Sequence, residues 1–434
     1  MESSFWQKEI ELMKRDELEK LQLERLKNTL KIAARSPFYE KRFKENKIDI
    51  NKIKSLSDLK HIPFTTKDDL RISYPYGMLC VHLDDVIRLH ASSGTTGKST
   101  VIFHSKKDID EWSTLIARCM VMVGVKKGDV FQNMMTYGLF TGGLGFHYGA
   151  EKIGVLTIPA GSGNTAKQIQ LIEDFETTVI HITPSYALFF GEYIKENGMD
   201  PKGFHLRIAF FGAEPYSEST RKKLEETFNI NAYDSYGLSE MNGPGVSFEC
   251  QEKNGMHIWE DNYIVEHINP ATGEPAEEGE KGELVLTTIN REAMPILRCR
   301  TKDLCYLING ECKCGRVHQR ISRIIGRSDD MLIVRGVNIF PSQIEHIIMN
   351  IPEVGSNYQI VLERENYLDK MTVKVELYSK MFHGDMKQLK EIKNKITRVL
   401  KDDILITPNV ELLEPGSLPP STGKAVRVID NRKI

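Results

Sequence analysis

The sequence lacks the long apolar run that a membrane-spanning helix requires. No stretch of its 434 residues approaches the ~18 consecutive apolar side chains of a transmembrane segment. The N-terminal stretch MESSFWQKEIELMKRDELEK is charged throughout and has no apolar centre of the kind found in signal peptides. We therefore expect a cytoplasmic protein that does not engage a membrane.

An excess of charge of one sign is also missing. The 58 lysine and arginine residues nearly cancel the 60 aspartate and glutamate residues, which leaves a formal net charge of −2 at pH 7. Because nucleic acids attract strongly basic surfaces, a nucleic acid is not expected as a partner. The hydrophobic content of 40% is sufficient, at this length, for a large core divided among two or more domains.

The seven cysteines do not form a regular disulfide framework. They are an odd number scattered through a long chain, which suits a reducing compartment. Cys312 and Cys314 form one close pair, and Cys250 stands seven residues before His257. Three thiols and an imidazole suit a closed tetrahedral site, so this set predicts a structural Zn²⁺. His318 is the alternative fourth ligand, and thiols without a metal are the other interpretation.

The sequence also lacks a complete P-loop of the nucleoside triphosphatase type. Residues 90–100 read HASSGTTGKST, but Ser92 stands where the pattern G-x-x-x-x-G-K-[ST] has its first glycine. The β-rich runs at 86–90 and 100–103 indicate that the loop joins two strands and does not open a helix. Taken alone, such a segment is more simply interpreted as a solvated hairpin loop.

The same loop nevertheless carries the groups that bind a polyphosphate. Its hydroxyl groups donate hydrogen bonds, its glycines allow close approach of the backbone, and its lysine adds positive charge. The predicted phosphate site, in which Thr95 and Lys98 also take part in catalysis, comprises Ser92, Ser93, Gly94, Thr95, Thr96, Gly97 and Lys98.

The rest of the chain divides into two patterns. From about residue 86 to 290, β-branched runs alternate with charged helical stretches, which indicates α/β layers on largely parallel sheet. After residue 330 the pattern restarts, with helices predicted near 342–350 and 385–402. We predict a large N-terminal domain of parallel and mixed sheets with helices, residues 1–328, and a small α+β domain, residues 329–434. Before these patterns, apolar residues at helical spacing predict a core-facing helix: Leu23, Leu26, Leu30 and Ala33.

Further stretches follow the loop in a fixed order. They are FGAEP at 211–215, DSYGLSE at 234–240, RTKD at 300–303, GRSD at 326–329 and Gly423–Lys424. With the longer stretches YGLSEMNGPGV, GRSDDMLIVRGVNIFPSQIE and PGSLPPSTGKAVRVID, they resemble the acyl-adenylate-forming superfamily and, within it, the phenylacetate-coenzyme A ligase family. The resemblance covers nearly the whole chain and implies the fold of that superfamily, with a mobile C-terminal domain.

The resemblance implies an enzyme that uses ATP, Mg²⁺ and coenzyme A. Such an enzyme joins a carboxylic acid to AMP, releases pyrophosphate and then passes the acyl group to the thiol. We expect Glu240 to bind the magnesium ion and act in catalysis, because a carboxylate is a hard oxygen ligand. The rest of the expected nucleotide site comprises Ala213, Glu214, Pro215, Asp234, Tyr236, Gly237, Asp303 and Arg327.

For three of these residues we can name a specific contact with the nucleotide and also a purely structural alternative. Tyr236 has a flat ring to stack on adenine, Asp303 can accept the ribose hydroxyls, and Arg327 can reach ribose or phosphate. Taken singly, Tyr236 is more simply interpreted as a core residue and Asp303 as a turn cap. Arg327, taken singly, is more simply interpreted as the partner of an ion pair with Asp329 or Asp330.

By resemblance, Lys424 is the catalytic lysine that the small domain places between the carboxylate and the α-phosphate, and Asp329 is the hinge of that domain. The acyl pocket is expected after Met134 and Met135. It comprises Tyr137, Gly138, Phe140, Gly142 and Gly143. Aromatic and methionine side chains suit a flat hydrophobic acid, with phenylacetate the leading choice among aryl and arylalkyl acids.

Two other functions share the same motifs. One is an adenylating enzyme that does not use coenzyme A, and the other is a nucleotide-binding protein that has lost its chemistry. The presence of both Glu240 and Lys424 argues against the second. The expected partners are small molecules, namely an aryl acid, ATP and coenzyme A, and the family suggests a homodimer.

Overall fold

The computed structural model describes residues 4–92, 99–335, 337–365, 368–381, 386–419 and 425–432. The chain divides into two compact units, each made of several segments. The first comprises Met1–Gly161, Thr178–His181 and Tyr233–Ile324, and the second comprises Ser162–Thr177, Ile182–Ala232 and Ile325–Ile434. These discontinuous units do not correspond to a single cut in the sequence, so the predicted domain boundary at Asp329 stays a prediction.

The regular elements follow one another along the whole chain. The helices are α1 (Lys8–Glu11), α2 (Arg15–Ala33), α3 (Pro37–Glu45), α4 (Lys67–Ile72), α5 (Lys106–Met122), α6 (Thr141–Ile153), α7 (Thr165–Asp174), α8 (Pro184–Glu196), α9 (Glu218–Phe228), α10 (Pro341–Met349) and α11 (Met386–Ile404). The strands are β1 (Val86–Ala91), β2 (Val101–Ser105), β3 (Val130–Asn133), β4 (Leu156–Ile158), β5 (Val179–Ile182), β6 (Ile208–Gly212), β7 (Asn231–Leu238), β8 (Gly243–Glu249), β9 (Met256–Ile258), β10 (Tyr263–Ile268), β11 (Gly282–Thr288), β12 (Cys299–Cys305), β13 (Leu307–Ile308), β14 (Arg320–Ile321), β15 (Gly326–Arg327), β16 (Leu332–Val334), β17 (Val337–Ile339), β18 (Val354–Glu365), β19 (Leu368–Leu377), β20 (Asn409–Leu413) and β21 (Val428–Asp430).

Helix α2 packs into the core of the first unit as its spacing predicts. Leu26, Leu30 and Ala33 are fully buried, whereas Leu23 is half-buried at the edge of the same face. Tyr39 of α3 and Leu297 join the same apolar cluster. The α2 stripe thus fixes the N-terminal helices to the rest of the unit.

The strands of the first unit form mixed sheets. Strands β1 and β2 pair antiparallel, which confirms that the loop between them joins two strands. Strand β3 pairs in parallel with β4 and β5. The prediction of largely parallel sheet for residues 86–290 is wrong for the later strands of that range, because β7–β8, β8–β9 and β10–β11 pair antiparallel. Beyond that range, β12 and β14 also pair antiparallel with β11 and β9. For β7 and β8 the physical reason is connection length, since residues 239–242 between them are too few for the crossover that parallel strands need.

The second unit contains a separate apolar cluster formed after residue 331. Strands β18 and β19 pair antiparallel, and β21 and β20 add in parallel at their outer edges. Helix α11 buries one side chain per turn against this sheet, as its pattern predicts: Ile392, Ile396, Leu400 and Ile404. Helices α10 and α11 lie close to the positions expected from the sequence.

Across the described ranges, no helix combines the length and the apolar content needed to cross a membrane.

Candidate functional site

The predicted phosphate loop is closed at its base by the β1–β2 hairpin. Ser93, Gly94, Thr95, Thr96, Gly97 and Lys98 lie outside the described residues. At the ends of the loop, Ser92 N donates to Thr100 O over 3.1 Å, and the two hydroxyl oxygens are 2.6 Å apart. Strand pairing therefore continues one residue beyond β1, and the phosphate role of the loop stays a prediction.

Tyr236 and Asp303 are brought together from two separate motifs. Tyr236 lies on β7 and Asp303 on β12, and the Tyr236 hydroxyl donates to Asp303 Oδ2 over 2.6 Å. Both residues are buried, and burial together with the negative charge of Asp303 holds the pKa of Tyr236 well above its usual range. The hydroxyl therefore stays protonated and keeps donating. Two residues expected to contact adenosine thus share one hydrogen bond.

Asp234 and Gly237 lie on the same strand as Tyr236. Asp234 N donates to Glu249 Oε2 over 2.8 Å, and Asp234 Oδ2 lies 3.4 Å from Arg323 Nε. A Cβ at Gly237 would lie 1.9 Å from Gly243 O, so only glycine allows β8 to approach this closely. Gly237 therefore has a clear packing role, and a nucleotide contact for it stays a prediction.

Glu240 follows β7 and is surrounded by cationic groups. Its side chain is 10% exposed, and Lys67 Nζ lies 3.9 Å from its Oε1. Buried Arg291 donates from Nη1 to the Glu240 carbonyl oxygen over 2.9 Å, while burial lowers the pKa of that guanidinium. A buried arginine thus holds the backbone at Glu240, while the Glu240 carboxylate lies beside the half-exposed ammonium group of Lys67. A carboxylate oxygen in this place fits a magnesium ligand.

The FGAEP stretch lies in the second unit, where Glu214 makes two backbone contacts. Its Oε1 accepts from Ser185 N over 2.6 Å, and its Oε2 accepts from Ala425 N over 3.1 Å. Ala213 adopts a left-handed backbone with φ +70°, and Pro215 is exposed. Lys424 lies outside the described residues, but the residue that follows it is bonded to Glu214.

Arg327 and Asp329 form an ion pair with each other. Arg327 Nε and Nη2 lie 2.9 Å and 3.0 Å from the two Asp329 carboxylate oxygens, and Asp330 Oδ2 is 3.7 Å from Nε. The ion pair that the sequence left as an alternative is therefore present. A ribose or phosphate contact for Arg327 and a hinge at Asp329 stay predictions.

The predicted acyl-pocket residues come together at the start of α6. Asn133 Nδ2 donates to the Tyr137 hydroxyl over 3.0 Å, and burial raises the pKa of Tyr137 to about 12. A Cβ at Gly142 would lie 2.3 Å from the Phe140 ring, and one at Gly143 would lie 2.8 Å from a carbonyl oxygen. Close packing against the backbone thus requires glycine at 143, whereas a larger residue at 142 would displace the Phe140 ring. Gly138, at φ +107°, turns the chain between Tyr137 and the helix.

The four predicted metal ligands cluster closely. The ligand atoms of Cys250, His257, Cys312 and Cys314 all lie within 4.8 Å of one another. Cys250 Sγ is 3.6 Å from Cys312 Sγ, and Cys314 Sγ is 3.3 Å from His257 Nε2. A hydrogen bond from Cys250 lowers the pKa of Cys314, which favours the thiolate that binds metal. This donor set and its spacing fit a tetrahedral Zn²⁺.

His318, the alternative ligand, is not among the four residues whose ligand atoms cluster. Its backbone instead contacts one of them. Its carbonyl oxygen lies 3.3 Å from His257 Nδ1, so that nitrogen carries the proton and Nε2 faces the thiols. The His318 ring instead accepts at Nδ1 from Glu260 N over 3.2 Å, and burial lowers its pKa to about 3. His318 therefore orients the histidine ligand.

Sequence analysis missed a buried ion pair that holds the segment carrying Cys312 and Cys314. Arg316 Nε and Nη2 donate to Glu11 Oε2 over 2.9 Å and 2.6 Å, and both side chains are almost fully buried. Nothing in either local sequence indicates the pairing, because the two residues are 305 positions apart. The first helix of the chain is thus bonded to the segment that follows the metal ligands.

Two family models match the chain. The AMP-binding enzyme model matches residues 16–290, and the AMP-binding enzyme C-terminal domain model matches residues 336–432. The first match covers more than half of the chain and includes Tyr236, Glu240 and the predicted phosphate loop. Asp303 and the metal ligands Cys312 and Cys314 fall outside both matched ranges.

Full-length relatives agree with these matches. The phenylacetate-coenzyme A ligase of Thermus thermophilus is 44% identical over 99% of this chain and 100% of its own length. The enzyme of that name from Pseudomonas putida is 46% identical over 96% of this chain and 95% of its own length. A crystal structure of 2-hydroxyisobutyryl-CoA ligase in the postadenylation state superposes with a TM-score of 0.93 at 28% identity, covering 99% of this chain and 93% of that one. The chain therefore belongs to the AMP-binding enzyme family, in which it stands with the phenylacetate-coenzyme A ligases.

Proposed function

We propose that the chain is an AMP-forming acid–thiol ligase. It activates an aryl or arylalkyl carboxylic acid, with phenylacetate as the first candidate, and transfers the acyl group to coenzyme A. The observation that carries this proposal is the likeness to four phenylacetate-coenzyme A ligases at 44–46% identity over 96–99% of the chain.

The proposed reaction has two displacements. A carboxylate oxygen of the acid attacks the α-phosphorus of ATP, and pyrophosphate leaves. The thiolate of coenzyme A then attacks the acyl carbon, and AMP leaves with the bonding electron pair. The first step makes a poor electrophile reactive, and the second uses that reactivity to form the thioester.

Several residues of the first unit are proposed to act on ATP. Glu240 would hold the Mg²⁺ that, when bound, neutralises charge on the triphosphate. Asp303, with one oxygen accepting from Tyr236, would accept from the ribose hydroxyls, and the Tyr236 ring would border adenine. Because the hydrogen bond between them restricts both side chains, it would present them in a fixed relation to the nucleotide.

Lys424 is proposed to stabilise the negative charge that develops during adenylation. Its neighbour Ala425 is bonded through its N–H to Glu214 of the FGAEP stretch, which is predicted to border the adenine. This bond supports the proposal, since it holds the residue after Lys424 against a nucleotide motif. The domain 329–434 would then turn about Asp329 to admit coenzyme A for the second displacement.

Acid-dependent exchange of pyrophosphate into ATP tests the first displacement. We expect exchange with phenylacetate, AMP as the nucleotide product, and thioester only when coenzyme A is present. Formation of ADP and an acyl phosphate would contradict the adenylation. Thiol-independent release of acyl-AMP as the final product would favour an adenylating enzyme that does not use coenzyme A, and absence of exchange with every acid of a panel would favour a protein that has lost its chemistry.

A structural zinc ion is proposed at Cys250, His257, Cys312 and Cys314. The observation that supports it is the clustering of one imidazole and three sulfur atoms, together with the backbone acceptor that orients His257. We expect one zinc per chain in protein purified without chelators, and a lower midpoint of urea unfolding after chelation. Metal analysis giving well under one zinc per chain would exclude the site.

Two further properties stay predictions. The homodimer is tested by light scattering on the purified chain, where a monomer mass would contradict it. The cytoplasmic location is tested by fractionation of the cells that make the protein.

A further inference from the structure

The end of strand β1 is bonded to the segment predicted to border the acid. We call residues 134–143 the acyl loop. His90 Nδ1 lies 3.0 Å from Leu139 O, and Ala91 N donates to the same oxygen over 3.0 Å. One carbonyl of the acyl loop therefore has two partners on β1, directly before the predicted phosphate loop begins at Ser92.

These two bonds restrain the acyl loop at Leu139, where the side chain itself packs little. The Leu139 side chain is 60% exposed and contributes little packing. Gly138 has φ +107°, so the chain turns sharply just before Leu139, and Phe140 makes no side-chain cap to α6. The Leu139 carbonyl oxygen is thus a point at which residues 138–140 are bonded directly to β1.

The imidazole of His90 can serve only as a fixed donor here. A carbonyl oxygen accepts but cannot donate, so Nδ1 carries the proton in the bonded ring. Among the described residues, Nε2 is buried and has no hydrogen-bond partner, and burial lowers the pKa of His90. The ring is therefore neutral at neutral pH and carries its proton on Nδ1, facing Leu139 O.

Neighbouring rings hold the imidazole in this orientation. His104 on β2 lies edge-on at 5.4 Å between ring centroids, and Trp112 on α5 lies edge-on at 5.7 Å. Trp112 is fixed in turn by its Nε1, which donates to Pro244 O over 2.8 Å. His90 is 0% exposed, so rotation of its ring would require these neighbours to move.

We propose that His90 is a positioning residue for adenylation, which holds the acyl loop at a fixed distance from the end of β1. This inference rests on the proposed function, in which the acid and the α-phosphate of ATP must meet at bonding distance. Attack on phosphorus depends steeply on that alignment, and a misplacement of about 1 Å can cost roughly 10²-fold in rate. The residue acts on the reaction through Leu139 and touches neither substrate.

His90→Leu puts an apolar side chain of similar size in place of the imidazole and so removes the donor. We expect kcat/KM for the acid in pyrophosphate exchange to fall roughly 10- to 100-fold, with the KM for ATP little changed. His90→Asn should recover most of the activity, because its amide nitrogen takes the place of Nδ1. Thioester formation from synthetic acyl-adenylate and coenzyme A should stay near the wild-type rate in both variants, since the carboxyl and phosphate groups are already joined.

His104→Leu is the matched control. His104 is as deeply buried as His90 and stacks on the same Trp112, but neither of its ring nitrogens has a partner among the described residues. We expect this variant to exchange pyrophosphate within about twofold of wild type, because no bond to the acyl loop is lost. If His90→Leu does not fold, His90→Gln replaces it, since the longer side chain carries its amide nitrogen past Leu139 O.

The outcomes separate this inference from the proposed function. Absence of acid-dependent exchange in the wild-type chain would contradict the function itself. Normal exchange in His90→Leu or His90→Gln, with an active wild type, would overturn the positioning role alone. Equal losses in His90→Asn, His90→Leu and His104→Leu would also overturn it, because packing of the ring cluster and not the bond to Leu139 would then be the cause.

Discussion

Replacing Asp261 by asparagine should destabilise the first unit by several kcal/mol. The two carboxylate oxygens accept from Arg118 Nη1 and Nη2 over 2.8 Å and 2.9 Å, and the side chains are 1% and 2% exposed. Removing one partner of such a pair leaves the buried guanidinium without its carboxylate, at a cost of about 3 to 5 kcal/mol. Asparagine keeps the shape, so we expect a loss of that size in the free energy of unfolding, measured by urea titration at pH 7.

An exposed pair provides the control for this variant. Lys106 Nζ lies 2.8 Å from Asp110 Oδ1, but the side chains are 73% and 54% exposed. Asp110→Asn should therefore cost about 0.5 kcal/mol or less. If the two variants differ by less than about 1 kcal/mol, burial does not decide the strength of these ion pairs and the reasoning is refuted.

The same pair predicts a dependence on pH. Burial alone would raise the pKa of Asp261, but the charge of Arg118 and its hydrogen bonds outweigh burial and hold that pKa below its usual range. A carboxyl group with a lowered folded-state pKa stabilises the protein above its unfolded-state pKa of about 4, and this contribution is lost as the pH falls through the folded-state pKa. The difference in the free energy of unfolding between wild type and Asp261→Asn should therefore become smaller as the pH falls below about 4.

Three other variants test the proposed site and the second unit. Lys424→Ala should slow acyl-adenylate formation by roughly 10²- to 10³-fold in pyrophosphate exchange, while thioester formation from synthetic acyl-adenylate stays near normal. Asp303→Asn should raise the Kd for ATP by roughly 10- to 100-fold in calorimetry, because hydrogen bonds to a charged acceptor contribute about 1.5 to 3 kcal/mol; unchanged affinity would limit Asp303 to a structural role. Burial raises the pKa of Glu345 from 4.5 to about 7. The free energy of unfolding of the protein should therefore fall as the pH rises from 4.5 to 7, because the unfolded chain releases this proton first. Glu345→Gln should flatten the free energy of unfolding over that range, and an unchanged slope would contradict this.

Local patterns in the sequence predict much of the fold. The four-residue spacing of Ile392, Ile396 and Leu400 places one apolar face along α11, and the structure buries that face. The β-rich flanks of the phosphate loop correctly predict the β1–β2 hairpin. Such features are determined by residues that are close together in the sequence, so they can be predicted from one sequence alone.

Contacts between distant residues could not be predicted in the same way. Tyr236 and Asp303 were both expected near the nucleotide, but their hydrogen bond depends on how β7 and β12 meet after folding. The hydrogen bond from His90 to Leu139 is even harder to predict from the sequence, because its acceptor is a backbone carbonyl group that every residue possesses. Chemistry identifies which side chains can bind a ligand, whereas tertiary packing decides which of them meet.

The ion pair between Glu11 and Arg316 also bears on the order of events during synthesis. The carboxylate is made near the start of the chain, and its partner emerges 305 residues later. At translation rates of about 5 to 20 residues per second, this is a delay of roughly 15 to 60 s. Until then burial of Glu11 would leave the carboxylate without its arginine partner, so we expect α1 to dock only after Arg316 has emerged. A nascent chain stalled before Arg316 should therefore expose its N-terminal segment to protease, and the released full-length protein should protect it.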